Sequence, residues 1–248
     1  MTEKREYQDK LPEGSISERS PAIAWLDNFW YHYKWPVIIV TFFALVIAVC
    51  TAQMLSRESF DTTLVYAGPY RMNKEERADF ERLMDSLCPI DSDGDGQKNV
   101  QYISYQIYSD EEVSAEKEKA EAESIQYIFN AQYNSNEQKN FNNDVLLGEC
   151  SVYMVSPSIY QMLVTEKRLA HLSVAYGDDI PEIADEQGYG VRLGDTELYK
   201  YDAAVQALSP DTVICIPASG AYGPRSDAER YADSIEFFRA IADFGIED

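Results

Sequence analysis

The longest predominantly apolar stretch of the chain lies near the N-terminus, from Pro36 to Leu55. It carries no charged residue, and it reaches the ~20 residues that a helix needs to cross ~30 Å of hydrocarbon. Aromatic residues crowd its N-terminal flank between Phe29 and Trp35, with Lys34 at the boundary, as is typical of a membrane interface. The pattern predicts a transmembrane helix at 36–55 after a tail at 1–35.

Two alternatives to a permanent anchor share this pattern. A cleaved signal peptide also has an apolar stretch near the N-terminus, but the long tail and the length of the run favour an uncleaved signal anchor. The sequence from Ile47 to Cys50 is similar to a lipobox, but Val49 stands where a small residue is expected. Arg19 and Lys34 before the run, against Arg57 after it, predict a cytoplasmic tail and an extracytoplasmic domain.

Beyond a short stalk at 56–61, runs of β-branched and aromatic residues alternate with helical patterns. Strands are predicted at 62–66, 100–108, 151–155 and 212–216, with a hairpin over Tyr189–Tyr201 that turns at Gly194–Asp195. Helix starts are predicted at Asn73, Ser135, Ser156 and Ser226. Glu76 completes a capping box with Asn73, Phe80 and Met84 repeat at helical spacing after it, and Gly148 should end the helix that starts at Ser135. The charge run Asp110–Glu123 fits a solvated helix. The alternation predicts an α/β domain at 62–248, with a mixed, mainly parallel sheet and packed helices, preceded by one transmembrane helix.

The distribution of charge restricts the partners of this domain. Acidic residues outnumber basic ones by 43 to 21, and the net charge is −22. Residues 1–35 carry five basic and six acidic residues, so almost all of the negative charge lies beyond the apolar run. A field of that sign repels phosphate backbones, which argues against nucleic-acid binding and favours cationic ligands or partners.

Residue types that carry catalysis are scarce. The only histidines are His32 and His171, and the sequence has no nucleophile elbow, His-Glu-x-x-His helix, Walker loop or dinucleotide fingerprint. Beyond the span, Cys88, Cys150 and Cys215 allow one disulfide at most. We expect a protein that is not an enzyme, with a membrane-anchored hydrolase as the least favoured alternative.

One loop has the composition of an ion site. The segment from Asp91 to Asn99 has the D-x-D-x-D-G order of a calcium loop, in which carboxylates at alternate positions converge on one hard cation. Its candidate ligands are Asp91, Asp93 and Asp95. The twelfth position is Tyr102 instead of a bidentate Glu, so the alternative is an acidic turn without an ion. Calcium is the one cofactor that the sequence suggests.

Three loops follow predicted strands and offer a ligand site. In open α/β sheets, ligands bind beyond the carboxyl ends of the strands. The candidate ligand-binding residues follow the first, third and last predicted strands, and they are Gly68, Tyr70, Ser156, Ser158, Ser219 and Gly220. We expect these loops to line one pocket, although each could also be only a tight connection.

A family resemblance covers most of the chain. The aromatic and basic flank at 29–34, the apolar span, the strand-helix-strand with its Asp/Gly loop and the turn at 147–153 resemble uncharacterised single-pass membrane proteins of Gram-positive anaerobic bacteria. Their outer domains are similar to part of an extracellular solute-binding protein. The resemblance implies a solute-binding-like domain held at the cell membrane. It implies no particular activity.

These observations lead to two functional hypotheses. The first is a membrane-anchored extracytoplasmic ligand-binding or sensing module whose small ligand the sequence does not identify. The alternative is an interaction or scaffold protein of the cell envelope. In both cases the expected partners are the lipid bilayer, through one helix, and either a small ligand or an envelope protein.

Overall fold

The computed structural model describes residues 21–55, 60–92, 94–220 and 227–245. The chain forms two compact units, at 1–58 and 59–248. In the first unit, helix α1 (Pro21–Leu55) contains the stretch Asn28–Gln53, which is long and apolar enough to cross a membrane and is exposed instead of packed in a core. The helix already begins at Pro21, so the end of the predicted tail is helical.

The second unit is an α/β domain. Its strands are β1 (Thr62–Gly68), β2 (Val100–Gln106), β3 (Val152–Val155), β4 (Gly190–Arg192) and β5 (Val213–Cys215). Its helices are α2 (Lys74–Leu87), α3 (Asp110–Ala122), α4 (Ala131–Leu147), α5 (Pro157–Thr165), α6 (Ser173–Tyr176), α7 (Glu197–Tyr201) and α8 (Ala228–Ala242). Short 3-10 helices occupy Leu193–Asp195 and Val205–Ala207.

The five strands form one mixed sheet in the order β2-β1-β3-β5-β4. Strand β1 pairs in parallel with β2 and β3, whereas β5 is antiparallel to both β3 and β4. The α/β fold with packed helices is therefore confirmed. The mainly parallel character is not, because two of the four pairings are antiparallel.

The predicted hairpin at 189–201 is wrong. Strand β4 pairs with β5, and the residues expected to form the second hairpin strand fold into α7. The hydroxyl of Thr196 accepts a hydrogen bond from the Tyr199 amide and caps this helix, while Leu198 is fully buried. A local cap and one buried side chain thus replace cross-strand pairing.

Helix boundaries follow local capping. The Asn73 side chain and Glu76 form the predicted capping box at the start of α2. Helix α4 begins earlier than predicted, because Asn130 instead of Ser135 caps it, and it ends as expected at Gly148, whose φ is 75°. Asp227 caps α8, and the predicted start at Ser226 lies outside the described residues.

The sheet is covered on both faces. Alternate residues of β1 point to opposite faces, so Leu64 and Tyr66 pack with α2 and α8, and Val65 and Ala67 pack with α4 and α5. The buried rings of both layers come mainly from the helices, namely Phe80, Phe237 and Phe238 on one face and Phe141 and Tyr160 on the other. Helix α3 buries no residue, which confirms the solvated helix expected from its charge run.

Candidate functional site

The structure brings four of the six predicted ligand-binding residues together. The Ser156 amide donates to the carbonyl of Ala67, because β1 and β3 are parallel and end side by side. The Ser156 and Ser158 hydroxyls lie 3.0 Å apart, and a Cβ on Gly68 would lie 3.4 Å from that of Ser156. These contacts pack Gly68, Ser156 and Ser158 closely together. The fourth residue, Tyr70, lines an open groove.

Ser219 and Gly220 lie elsewhere, so the expectation of one shared pocket is wrong. Strand β5 is antiparallel to β3, with Cys215 opposite Tyr153 and Val213 opposite Val155. The carboxyl end of β5 is therefore beside the amino end of β3. The loop that carries Ser219 and Gly220 follows that end, so it lies at the opposite end of the strands from Gly68 and Ser156.

The Asp/Gly loop is a turn stabilised by its own carboxylates. Asp91 accepts hydrogen bonds from the amides of Gly94 and Gly96 at 2.8 and 3.0 Å, and Asp95 accepts one from Gln97 at 2.7 Å. Asp93 lies outside the described residues. Within the described ranges, no group of three or more His, Cys, Asp or Glu residues is placed to hold a metal, and calcium binding stays a prediction.

An open groove runs along the outer side of β2, between the start of α2 and the first half of α4. Its volume is about 420 Å³. The walls combine aromatic rings, basic side chains and polar groups, contributed by Tyr70, Arg71, Met72, Asn73, Lys74, Arg77, Tyr102, Ser104, Gln106, Tyr133 and Glu137. It lies at the carboxyl ends of β1 and β2, where open α/β sheets place ligands.

The groove is basic in a strongly acidic chain. Arg71 and Lys74 make no ion pair with any described residue, whereas Arg77 pairs with Glu81 at 2.7 Å. Glu137 is the one acidic residue among those that line the groove. Two cationic side chains are therefore available to a ligand.

Two tyrosines of the groove, Tyr70 and Tyr102, have raised pKa values. A hydrogen bond from Tyr70 to Glu76, at 2.9 Å, raises the pKa of Tyr70, and burial raises the pKa of Tyr102. The same Glu76 carboxylate accepts the amide of Asn73. Because the Asn73 side chain accepts the amides of Glu75 and Glu76 at 2.9 and 3.0 Å, an anion would bind the basic side chains instead of these helix amides.

Strand β2 forms one edge of the sheet, and side chains close both ends of that edge. Asp85 accepts a hydrogen bond from the Val100 amide at 2.7 Å, and Arg77 donates to the Tyr102 carbonyl at 3.0 Å. At the other end, the Asn134 side chain bonds both the amide and the carbonyl of Tyr108, at 2.8 and 3.0 Å. The stretch between these contacts faces the groove.

The remaining chemistry-bearing residues have structural contacts. His171 is exposed and bonds the Ser173 hydroxyl at 2.9 Å. All four cysteines are free thiols, and the three in the α/β domain are buried. Asp185 accepts the Tyr160 hydroxyl at 2.7 Å together with the amide of Gly190. The His171–Ser173 pair joins a base to a hydroxyl, but the same ring nitrogen also accepts the Ser173 amide at 3.2 Å, and no described carboxylate bonds the other ring nitrogen.

Sequence reasoning missed the basic wall of the groove. Arg71, Lys74 and Arg77 fall within one stretch of seven residues, whereas the whole chain after residue 35 has 16 basic residues. A local excess of basic residues directly after the first strand was the available signal. No protein-family model matches the chain, and no curated protein or solved structure is significantly similar to it.

Proposed function

We propose that this chain is a membrane-anchored extracytoplasmic module that binds an anionic ligand in the groove between α2 and α4. One observation carries the proposal: Arg71 and Lys74 line a groove of about 420 Å³ without an ion pair among the described residues. The chain has a net charge of −22, so acidic side chains that could pair with Arg71 and Lys74 are abundant. None of the described ones does so. Two cations left unpaired at an open groove suit a carboxylate or phosphate from outside.

The groove modifies the earlier expectation about ligand charge. The overall field favours cations, but over distances greater than ~8 Å this field is screened at physiological ionic strength. A ligand in contact with Arg71 and Lys74 responds mainly to these neighbours. The domain therefore combines a repulsive acidic surface with one attractive site, which favours selective over general anion binding.

A charge-reversal experiment tests the groove. The full chain in zwitterionic lipid nanodiscs would be titrated calorimetrically with inorganic phosphate, citrate, L-glutamate and an acidic peptide. The double substitution Arg71→Glu with Lys74→Glu should lower the affinity for the anion by at least about tenfold, because hydrogen bonds to charged groups contribute about 1.5–3 kcal/mol each.

The matched control is Lys119→Glu with Lys139→Glu, which changes the net charge equally at exposed positions of α3 and α4 that do not line the groove. This control should retain affinity within about twofold, because screened surface charges contribute little. Equal weakening by both double variants would mean that net charge, and not the groove, governs binding, and it would overturn the proposal.

The orientation that we propose places the α/β domain outside the cytoplasm. Ser135 is exposed on α4, so Ser135→Cys should react with a membrane-impermeant maleimide in intact cells. The three cysteines of this domain are buried and give little background. A cysteine placed at Ser15 in the tail is the control, and it should react only after lysis. Labelling of Ser135→Cys only after lysis would reverse the orientation.

A scaffold role is the second candidate, and exposed apolar residues favour it. Ile125 and Ile128, in the connection between α3 and α4, are 59% and 80% exposed. Single exposed apolar residues are common on soluble proteins, so this observation ranks below the basic groove. Photo-crosslinking from position 128 in membranes should capture one envelope protein if this candidate is correct.

A further inference from the structure

We infer that the ligand of the groove is an extended acidic peptide segment that pairs with the edge of β2 as a short sixth strand. The inference rests on the proposed function, because it uses the same groove. It adds the class of ligand and the main-chain groups that hold it.

The direction of the β2 main chain supports this mode of binding. The Ile107 amide donates to the Gly68 carbonyl at 2.9 Å, and Gly68 is in register with Gln106. Odd-numbered residues of β2 therefore direct their main-chain groups toward β1, and even-numbered residues direct theirs toward the outer edge. Since β2 is the last strand on this side, the outward groups have no strand partner among the described residues.

Side chains bond some of these outward groups near the start of β2 and both groups of Tyr108 after its end, and they leave the middle open. Asp85 and Arg77 bond the first outward residues, and Asn134 bonds Tyr108 as a neighbouring strand would, with one donor and one acceptor. No described residue donates to or accepts from the outward main chain of Ser104 and Gln106. Two amides and two carbonyls are thus available side by side.

The groove lies beside this open stretch. Its lining includes Tyr102, Ser104 and Gln106, which are three of the outward residues. Alternate residues of a strand are ~6.6 Å apart, so the open stretch spans two or three residues of an added strand. Main-chain pairing would supply affinity, and the walls of the groove would select the side chains.

Charge complementarity defines the chemistry of the peptide. On the α2 side of the groove, Arg71 and Lys74 form no ion pair within the described part of the chain, so ligand side chains on that face should be carboxylates. On the α4 side the wall has Tyr133 and Glu137, so ligand residues on that face should be uncharged. Self-pairing of two β2 edges would instead bring two basic walls together, which is unfavourable.

The test uses the full chain in lipid nanodiscs and a fluorescent library of hexapeptides with Asp at alternate positions. A second library with Lys at those positions is the control. The Asp library should yield retained peptides and the Lys library none. Retention of the Lys library to the same extent, or of no Asp peptide while citrate binds, would overturn the inference.

N-methylation of the bound peptide separates strand pairing from side-chain recognition. Only one set of alternate amides in an added strand faces β2. One of the two alternately N-methylated peptides should therefore lose at least about tenfold in affinity, and the other should stay within about twofold. If both bind like the parent while Arg71→Glu with Lys74→Glu weakens binding, the inference fails and the proposed function stands.

Variants of the protein give a second measurement. Ser104→Pro removes an outward amide and should abolish peptide binding, whereas Ser104→Ala keeps that amide and removes only a groove-lining hydroxyl, so it should weaken binding far less than Ser104→Pro. Circular dichroism checks that Ser104→Pro is folded, and the methylated peptides decide the question if it is not. If Arg71→Glu with Lys74→Glu leaves peptide binding unchanged, both the inference and the proposed function fail.

Discussion

The hydrogen bonds between Asn134 and Tyr108 give a quantitative prediction for the edge of β2. Asn134→Ala removes two bonds to the Tyr108 main chain, of 2.8 and 3.0 Å. Each contributes about 0.5–1.5 kcal/mol net, so the loss is about 1–3 kcal/mol. Alanine is the better helix former by up to about 0.7 kcal/mol, which leaves a destabilisation of about 0.3–2.3 kcal/mol and a melting temperature lower by about 1–9 °C.

The assay must report on the α/β domain alone. All three tryptophans, Trp25, Trp30 and Trp35, lie in α1, so near-ultraviolet circular dichroism of the tyrosines is the suitable signal. Amide hydrogen exchange gives a direct second readout, since the Tyr108 amide should exchange faster in Asn134→Ala. Asn134→Asp keeps the acceptor and loses the donor, so it should protect this amide but still destabilise the domain.

Ser135→Ala is the matched control, because Ser135 is the next residue of α4 and is exposed. The reasoning is refuted if Asn134→Ala destabilises no more than this control. It is also refuted if the Tyr108 amide exchanges at the same rate in both variants, since Asn134 would then not bond that amide in solution.

Three further predictions concern other parts of the domain. Gly190→Ala should destabilise by about 1–3 kcal/mol in chemical unfolding, because its Cβ would meet Val213 and lie 3.1 Å from Tyr160; an unchanged midpoint would contradict the packing. Burial raises the pKa of Tyr160 above its ordinary value, so the unfolding free energy should fall as pH rises above about 10, where the unfolded chain ionises, and the fall should be shallower in Tyr160→Phe. Calcium at ten times its Kd should raise the free energy of unfolding by about 1.4 kcal/mol, which is measured as a rise in melting temperature. Magnesium and sodium chloride should not reproduce this rise, and Asp93→Ala with Asp95→Ala should remove it.

Local signals in the sequence predicted the elements that local physics controls. Asn73 and Glu76 are three residues apart and form the capping box that their spacing indicates. Phe80 and Met84 repeat at helical spacing, and both are fully buried. Gly148 has the positive φ that ends a helix. Each of these features depends on interactions within a few positions of the chain.

The errors concern interactions between distant positions. Gly194–Asp195 has the composition of a hairpin turn, but pairing of β4 with β5 competes with that hairpin across about twenty residues. The direction of β5 then decides at which end of the strands Ser219 lies, and no residue near Ser219 encodes that direction. The groove depends likewise on which strand is last in the sheet, so only the cluster from Arg71 to Arg77 was visible in advance.

If α1 anchors the chain in a membrane, as we propose, the side chains that close the edge of β2 also affect how the domain tolerates crowding there. Confinement to two dimensions raises the local concentration of domains, and exposed edge strands are templates for assembly between copies. Strand β2 carries no charge or proline of its own, so its solubility depends on side chains from α2 and α4. Loss of Asp85 or Asn134 would lengthen the exposed edge, and aggregation, more than loss of folding, would limit the abundance of such variants in the cell.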